Sequence, residues 1–146
     1  MLTQLRIDQI VLIASATMHF GSGLTVFTGE TGAGKSILLD ALGLNLGRRA
    51  ESRLVRHGAQ AGNVIATFDP VAPALQTWLK EAGLANHEEA EADPLIIRRR
   101  LKADGSSRAY VNDQPVTIKQ LRALGEKLVT IHGQHGQRDL REPGRH

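Results

Sequence analysis

The sequence predicts an α/β domain built around one glycine-rich loop, and three observations carry that prediction. A β-rich run, Leu24 to Thr28, leads straight into the glycine-rich stretch 29–36. A long apolar segment, Ile37 to Leu46, follows it. Downstream, Leu95 to Lys102 and Arg108 to Asn112 flank Ala103-Asp104-Gly105-Ser106-Ser107, the pattern of a β-hairpin. With 146 residues and 41% hydrophobic content the chain can enclose a core.

In chain order, Leu5 to Ile13 reads as a strand that Ala16 to Phe20 continues after a turn, and Gly21-Ser22-Gly23 punctuates the chain before the run at 24–28. Ile37 to Leu46 is apolar nearly all round, with only Asp40 and Asn45 polar, which predicts a buried helix ended by Gly47. Residues 48–58 carry Arg48, Arg49, Arg53 and Arg56 without periodicity, a loop with room for one helical turn. Asn63 to Asp69 is a strand stopped by Pro70, and Asp69 is expected to end it at a sheet edge. Ala74 to Leu84 has helical spacing at Leu75, Trp78 and Leu79 and ends at Gly83. Glu88, Glu89, Glu91 and Asp93 make a solvated acidic loop over 86–94. Thr117 caps a helix with Ile118, Leu121, Leu124 and Leu128 on one face, after which Leu128 to Ile131 turns strand-like.

Composition removes several classes of function. There is no cysteine, hence no disulfide scaffold, zinc–cysteine site or thiol nucleophile. Only five aromatic residues are present, too few for a platform that stacks single-stranded bases. No apolar run approaches the ~18 residues of a transmembrane helix, and no basic region leads the N-terminal apolar stretch. A cytoplasmic domain with no membrane partner is the expectation. Eighteen Lys and Arg against fifteen Asp and Glu leave a formal +3, and thirteen of the cations are arginine, which favours forked contacts with phosphates or carboxylates.

Gly29-Glu30-Thr31-Gly32-Ala33-Gly34-Lys35-Ser36 matches G-x-x-x-x-G-K-[ST] at every position. Glycines let backbone N–H groups turn inward around phosphate oxygens, where side chains would block approach. The following helix points its positive end at the same anion. In such a loop Lys35 reaches the β- and γ-phosphates of ATP and the Ser36 hydroxyl ligates Mg²⁺. Nucleotide binding is therefore the primary functional reading.

Hydrolysis needs a second acid and a group that orients water. Asp69 is the one candidate for the acid, at the end of an apolar strand. The basic residues Arg98, Arg99, Arg100, Lys102 and Arg108 lie on the hairpin, where alternation sends Arg99 to one face and Arg98 and Arg100 to the other. They can form a solvated face, meet a nucleic-acid backbone or reach a nucleotide. His132 and His135 lack a third ligand for a metal site. Gln134 between them is placed to touch Mg²⁺ or water beside a γ-phosphate.

Together these stretches resemble the N-terminal head segment of the RecN family, bacterial DNA-repair ATPases related to SMC proteins and the wider ABC ATPases. The resemblance runs over roughly 1–140 and rests on TGETGAGKSILLDALGLNLGRRA (28–50), SRLVRHG (52–58), SRAYVNDQPVT (107–117) and IHGQHGQ (131–137). It implies a P-loop NTPase fold, the N-terminal half of an ABC/SMC-type ATPase head with an antiparallel β-subdomain at about 63–112. It also implies a Q-loop at about 131–137, with 141–146 opening a coiled coil or a tail. Gly29, Glu30, Thr31, Gly32, Ala33, Gly34, Lys35 and Ser36 then form the Walker A loop, and Gln134 the Q-loop glutamine that contacts Mg²⁺ and positions water, with Gln137 as the alternative. Arg56 matches an arginine that reaches the nucleotide, and Asp69 falls in the β-subdomain, away from a Walker B role. The Walker B strand, signature motif and switch histidine of such heads belong to a C-terminal half that pairs with this one. The implied partners are ATP, that C-terminal half, a second head and the DNA backbone, at the nucleoid, in recombinational repair of double-strand breaks. By itself the chain is expected to bind nucleotide with negligible turnover. The alternative reading is a small P-loop kinase, which leaves IHGQHGQ unexplained.

Overall fold

The computed structural model describes residues 2–11, 13–20, 32–69, 71–84 and 94–130. The expected run at 24–28, positions 29–31 of the glycine-rich loop, residues 86–93 of the acidic loop and everything from 131 onward lie outside them. The strands are β1 (Leu2–Ile10), β2 (Ile13–His19), β3 (Ala61–Phe68), β4 (Leu95–Lys102), β5 (Ser107–Val111) and β6 (Gln114–Val116). Helix α1 spans Gly32–Asn45, α2 spans Pro73–Glu81, and a third helix, α3, covers 118–130. A 3-10 turn at Ser52–Leu54 supplies the helical turn expected in the arginine-rich loop.

All six strands join one sheet in the order β2-β1-β3-β4-β5-β6, with every neighbouring pair antiparallel. Strict alternation gives the sheet two unlike faces, as in β3, where Gly62, Val64, Ala66 and Phe68 are buried and the residues between them are not. On the inner face Leu5, Ile7, Val64, Ile97, Leu101 and Val111 join Ala41 and Leu44 of α1 and Leu121, Leu124 and Leu128 of α3 in one core. Each buried Leu, Ile or Val among them contributes about 1.5–3 kcal/mol by leaving water. Among the described residues no helix is long and apolar enough to cross a membrane.

Four local expectations are corrected. The break between β1 and β2 falls at 11–12, and Gln9 and Val11 take left-handed backbone (φ 55 and 52) to make it. β3 lies between β1 and β4, so Asp69 ends an interior strand and not an edge strand. Residues 128–130 are helical, not strand-like, because Leu128 continues the buried face set by Leu121 and Leu124. Helix α1 is buried on one face only: Ala41 and Leu44 are enclosed, whereas Leu39 is 65% exposed.

β6 was not expected. Asn112 and Asp113 both have positive φ (49 and 69), the two-residue turn that joins strands tightly, and Asn112 Oδ1 accepts the Ile96 N–H at 2.8 Å. Pro115 is tolerated because β6 is an edge strand.

Candidate functional site

Helix α1 begins at Gly32, inside the glycine-rich motif, so Gly32, Ala33, Gly34, Lys35 and Ser36 are its first five residues. Four backbone N–H groups at such an end have no intrahelical partner. No acidic residue stands in that turn to compete for them. The amides at the positive end of such a helix suit an anion such as a polyphosphate, and the sequence puts a lysine and a serine at positions 35 and 36. Gly29, Glu30 and Thr31 lie outside the described residues, as do Gln134 and Gln137.

The opposite end of α1 is heavily built. Gly47 (φ 98) reverses the chain, its N–H donating to Leu44 O at 3.2 Å and that of Arg48 to Gly43 O at 2.9 Å. Arg99 reaches this end of the helix from β4. It is 1% exposed, and its Nη1 donates to Leu44 O at 2.8 Å and to Arg48 O at 2.9 Å, while Nη2 donates to Ser107 Oγ at 3.2 Å. Burial first, and then the charge of Arg122, pulls the Arg99 guanidinium below its ordinary pKa; an arginine keeps its proton all the same. Asn45, also buried, donates from Nδ2 to Val64 O (3.3 Å) and Ile97 O (3.1 Å), tying α1 to two adjacent strands.

Arg56 follows the 3-10 turn. Its backbone N–H donates to Gln9 O at 2.8 Å, and its exposed side chain lines a cavity of about 390 Å³ with Val11, Arg53 and His57. Val11, which lines this cavity, and Gln9 both have left-handed backbone, and such strain costs on the order of 1–3 kcal/mol per residue. It is over-determined locally by the Arg56-to-Gln9 bond and by Val11 N–H donating to Leu54 O at 2.8 Å. The approach also needs Gly62, where a Cβ would stand 2.6 Å from Gln9 O. Asp69 is exposed, and the described residues hold no group of His, Asp and Glu able to grip a metal ion.

The outer face of the sheet carries the other cations of the β4–β5 hairpin. Arg98, Arg100 and Lys102 point outward from β4, and Arg108 stands directly opposite Arg100. Arg98 lies over the Tyr110 ring, 4.2 Å from its centroid. The expected division of the three arginines between two faces is what the sheet shows.

Sequence reasoning missed Arg99, Asn45, Gln9 and Val11 as parts of the site. Asn45 had a visible cue, a lone amide on an apolar face. Arg99 had one as well, as the cation that alternation turns inward. The Gln9 and Val11 backbone has no cue in composition, because neither residue type favours positive φ.

The fold occurs in known ATPase heads. An SMC ATPase solved in work on ATP-driven dimerization and DNA-stimulated activation superposes with a TM-score of 0.62 at 23% identity, over 84% of this chain and 76% of that one. The recombination mediator RecF in its ATPrS form gives 0.59 at 20% identity, over 83% and 29%. The fold is therefore that of the P-loop ATPase heads of the ABC/SMC class. The sequence narrows this further. Residues 4–126 match the family model described as AAA domain, and the chain belongs to that family. It is 43% identical over 141 residues to the DNA repair protein RecN of Xylella fastidiosa (96% of this chain, 24% of the relative). It is 41% identical over 144 residues to RecN of Vibrio cholerae (98% and 25%). The resemblance to RecN seen in the motifs thus extends along nearly the whole chain, which spans about a quarter of the length of the curated relatives it matches.

Proposed function

We propose that this chain is the nucleotide-binding lobe of a RecN-type DNA-repair ATPase, taking ATP with Mg²⁺ at the Gly29–Ser36 loop. The observation that carries the reading is the start of α1 at Gly32, which sets Gly34, Lys35 and Ser36 on an amide-rich helix end free of acidic residues. In this reading Lys35 and the loop amides hold the phosphates, Ser36 and Gln134 hold the metal, and Arg56 reaches the nucleotide from its cavity. Bound Mg²⁺ supplies charge neutralisation at the phosphate oxygens. Gln134 orients water, and turnover requires a Walker B acid from the C-terminal half of this head and the signature motif of a second head, brought to the nucleotide by head-to-head pairing. DNA meets the outer sheet face, where Arg98, Arg100, Lys102 and Arg108 form a strip suited to phosphate contacts.

Titration of a fluorescent ATP analogue in the presence of Mg²⁺ tests the nucleotide reading. Lys35→Ala is expected to weaken binding at least tenfold, and an unchanged affinity sinks the assignment.

A further inference from the structure

A buried guanidinium is costly unless its donors are satisfied, and an apolar side chain of similar volume commonly fills such a position at no loss of stability. Arg99 is nevertheless enclosed in the core, and what it holds is the C-terminal end of the helix whose other end carries the phosphate-binding motif. Among the described side chains it alone bonds carbonyls on both sides of the Gly47 reversal, Leu44 before it and Arg48 after it. Ser107 of β5 steadies the guanidinium from behind. The positive charge also faces the negative end of the helix dipole.

A helix of 14 residues is a stiff rod about 21 Å long. A displacement at Leu44 is therefore carried to Lys35. We propose that Arg99 is a positioning residue for the phosphate cradle: anchored in β4 and β5, it fixes α1 along its axis and so fixes where Gly34, Lys35 and Ser36 meet the nucleotide. The proposal rests on the nucleotide-binding reading above. It assigns the inward arginine of the Arg98-Arg99-Arg100 run a role separate from that of its two outward neighbours.

The test is binding of a fluorescent ATP analogue with Mg²⁺ to the full chain, alongside thermal unfolding, for Arg99→Met, Arg99→Lys, Ser107→Ala, Leu75→Ala and Lys35→Ala. Arg99→Met is expected to weaken binding about tenfold, since misplacement of binding groups by about 1 Å has effects of that order or larger. Arg99→Lys, which keeps the charge but lacks the fork, should recover part of the loss. Leu75→Ala opens a cavity under α2 and serves as the purely structural control: it lowers Tm and leaves affinity within about twofold of wild type. Wild-type affinity in Arg99→Met overturns the proposal, and so does an equal loss of affinity in Leu75→Ala at a matched fall in Tm. Should Arg99→Met not fold, Ser107→Ala decides, with a two- to threefold loss expected and no loss counting against the proposal. Lys35→Ala separates the two claims. If it binds normally, the nucleotide reading fails and the proposal falls with it; if it alone loses binding while the Arg99 variants do not, only the positioning role is wrong.

Discussion

A Cβ built on Gly125 of α3 would stand 2.6 Å from the carbonyl oxygen of Leu46, at the end of α1. Gly47 repeats the relationship from the other side, where a Cβ would lie 2.8 Å from Arg122 Cα. The two helices therefore meet backbone to backbone, in a space that admits no side chain. Helix propensity alone favours alanine over glycine at position 125 by about 1 kcal/mol. The contact reverses that sign, because the obstructing atom is backbone and cannot swing away. Gly125→Ala is expected to destabilise the fold by about 1–3 kcal/mol, read as a lower urea midpoint. A raised midpoint refutes the contact.

Thr117 and Gln120 cap α3 reciprocally. The Gln120 N–H donates to Thr117 Oγ1 at 3.0 Å, and the Thr117 N–H donates to Gln120 Oε1 at 2.9 Å. Two otherwise orphaned donors are satisfied by one pair of side chains. Thr117→Ala is expected to cost about 1 kcal/mol, and amide exchange in the first turn of α3 should quicken correspondingly. Equal protection in the variant and the wild type would refute the cap.

Much of this fold is legible in the chain, and the division follows physical range. The cap at Thr117, the chain reversals at Gly47 and Gly83, and the hairpin around Gly105 depend on residues a few positions apart, so local pattern reveals them. Asn112-Asp113 belongs to the same class and could have been read as a tight turn leading to β6. The clamp by Arg99 joins residues 55 and 51 positions apart, and the Asn45 bond to Ile97 spans 52. No periodicity encodes such pairings. Alternation reveals that Arg99 points inward, but not which carbonyls wait there. The glycine-rich motif was legible for a different reason: phosphate chemistry restricts the residue types themselves.

Asp104 organises the β4–β5 turn. Its Oδ1 accepts the Ser106 backbone N–H at 2.9 Å and the Ser106 hydroxyl at 2.7 Å, and these bonds hold its carboxyl below the usual carboxylate range. A depressed folded-state pKa means that the bonds help the turn above the ordinary carboxylate value, about 3.9, and are lost as pH falls through the lower, folded value. The Ser106 amide proton resonance should therefore titrate with a midpoint below that of a free aspartate. A midpoint at or above it contradicts the bonding.

Arg100 and Arg108 face each other directly across the β4–β5 pair, on the open face of the sheet. Like charges in that position destabilise a hairpin by a few tenths of a kcal/mol, so folding gives no reason for the second arginine. The proposed DNA contact gives one, because a phosphate backbone along the strip would relieve the repulsion as it binds. Arg108→Glu converts the clash into a cross-strand ion pair and separates the two effects. Its Tm should hold or rise slightly, since exposed pairs contribute up to about 1 kcal/mol. Its affinity for duplex DNA should fall, and the slope of log K against log[salt] should shrink by about one or two phosphate contacts. Arg6→Glu, three strands from Arg108 on the same face, leaves the opposed pair intact and should change DNA binding less, although it disrupts the Arg6–Asp8 pair. If both variants weaken DNA binding equally, the effect is one of net charge and the strip has no special part in it. If Arg108→Glu lowers Tm, the opposed arginines are not a cost to the fold, and the reason for expecting a polyanion there disappears.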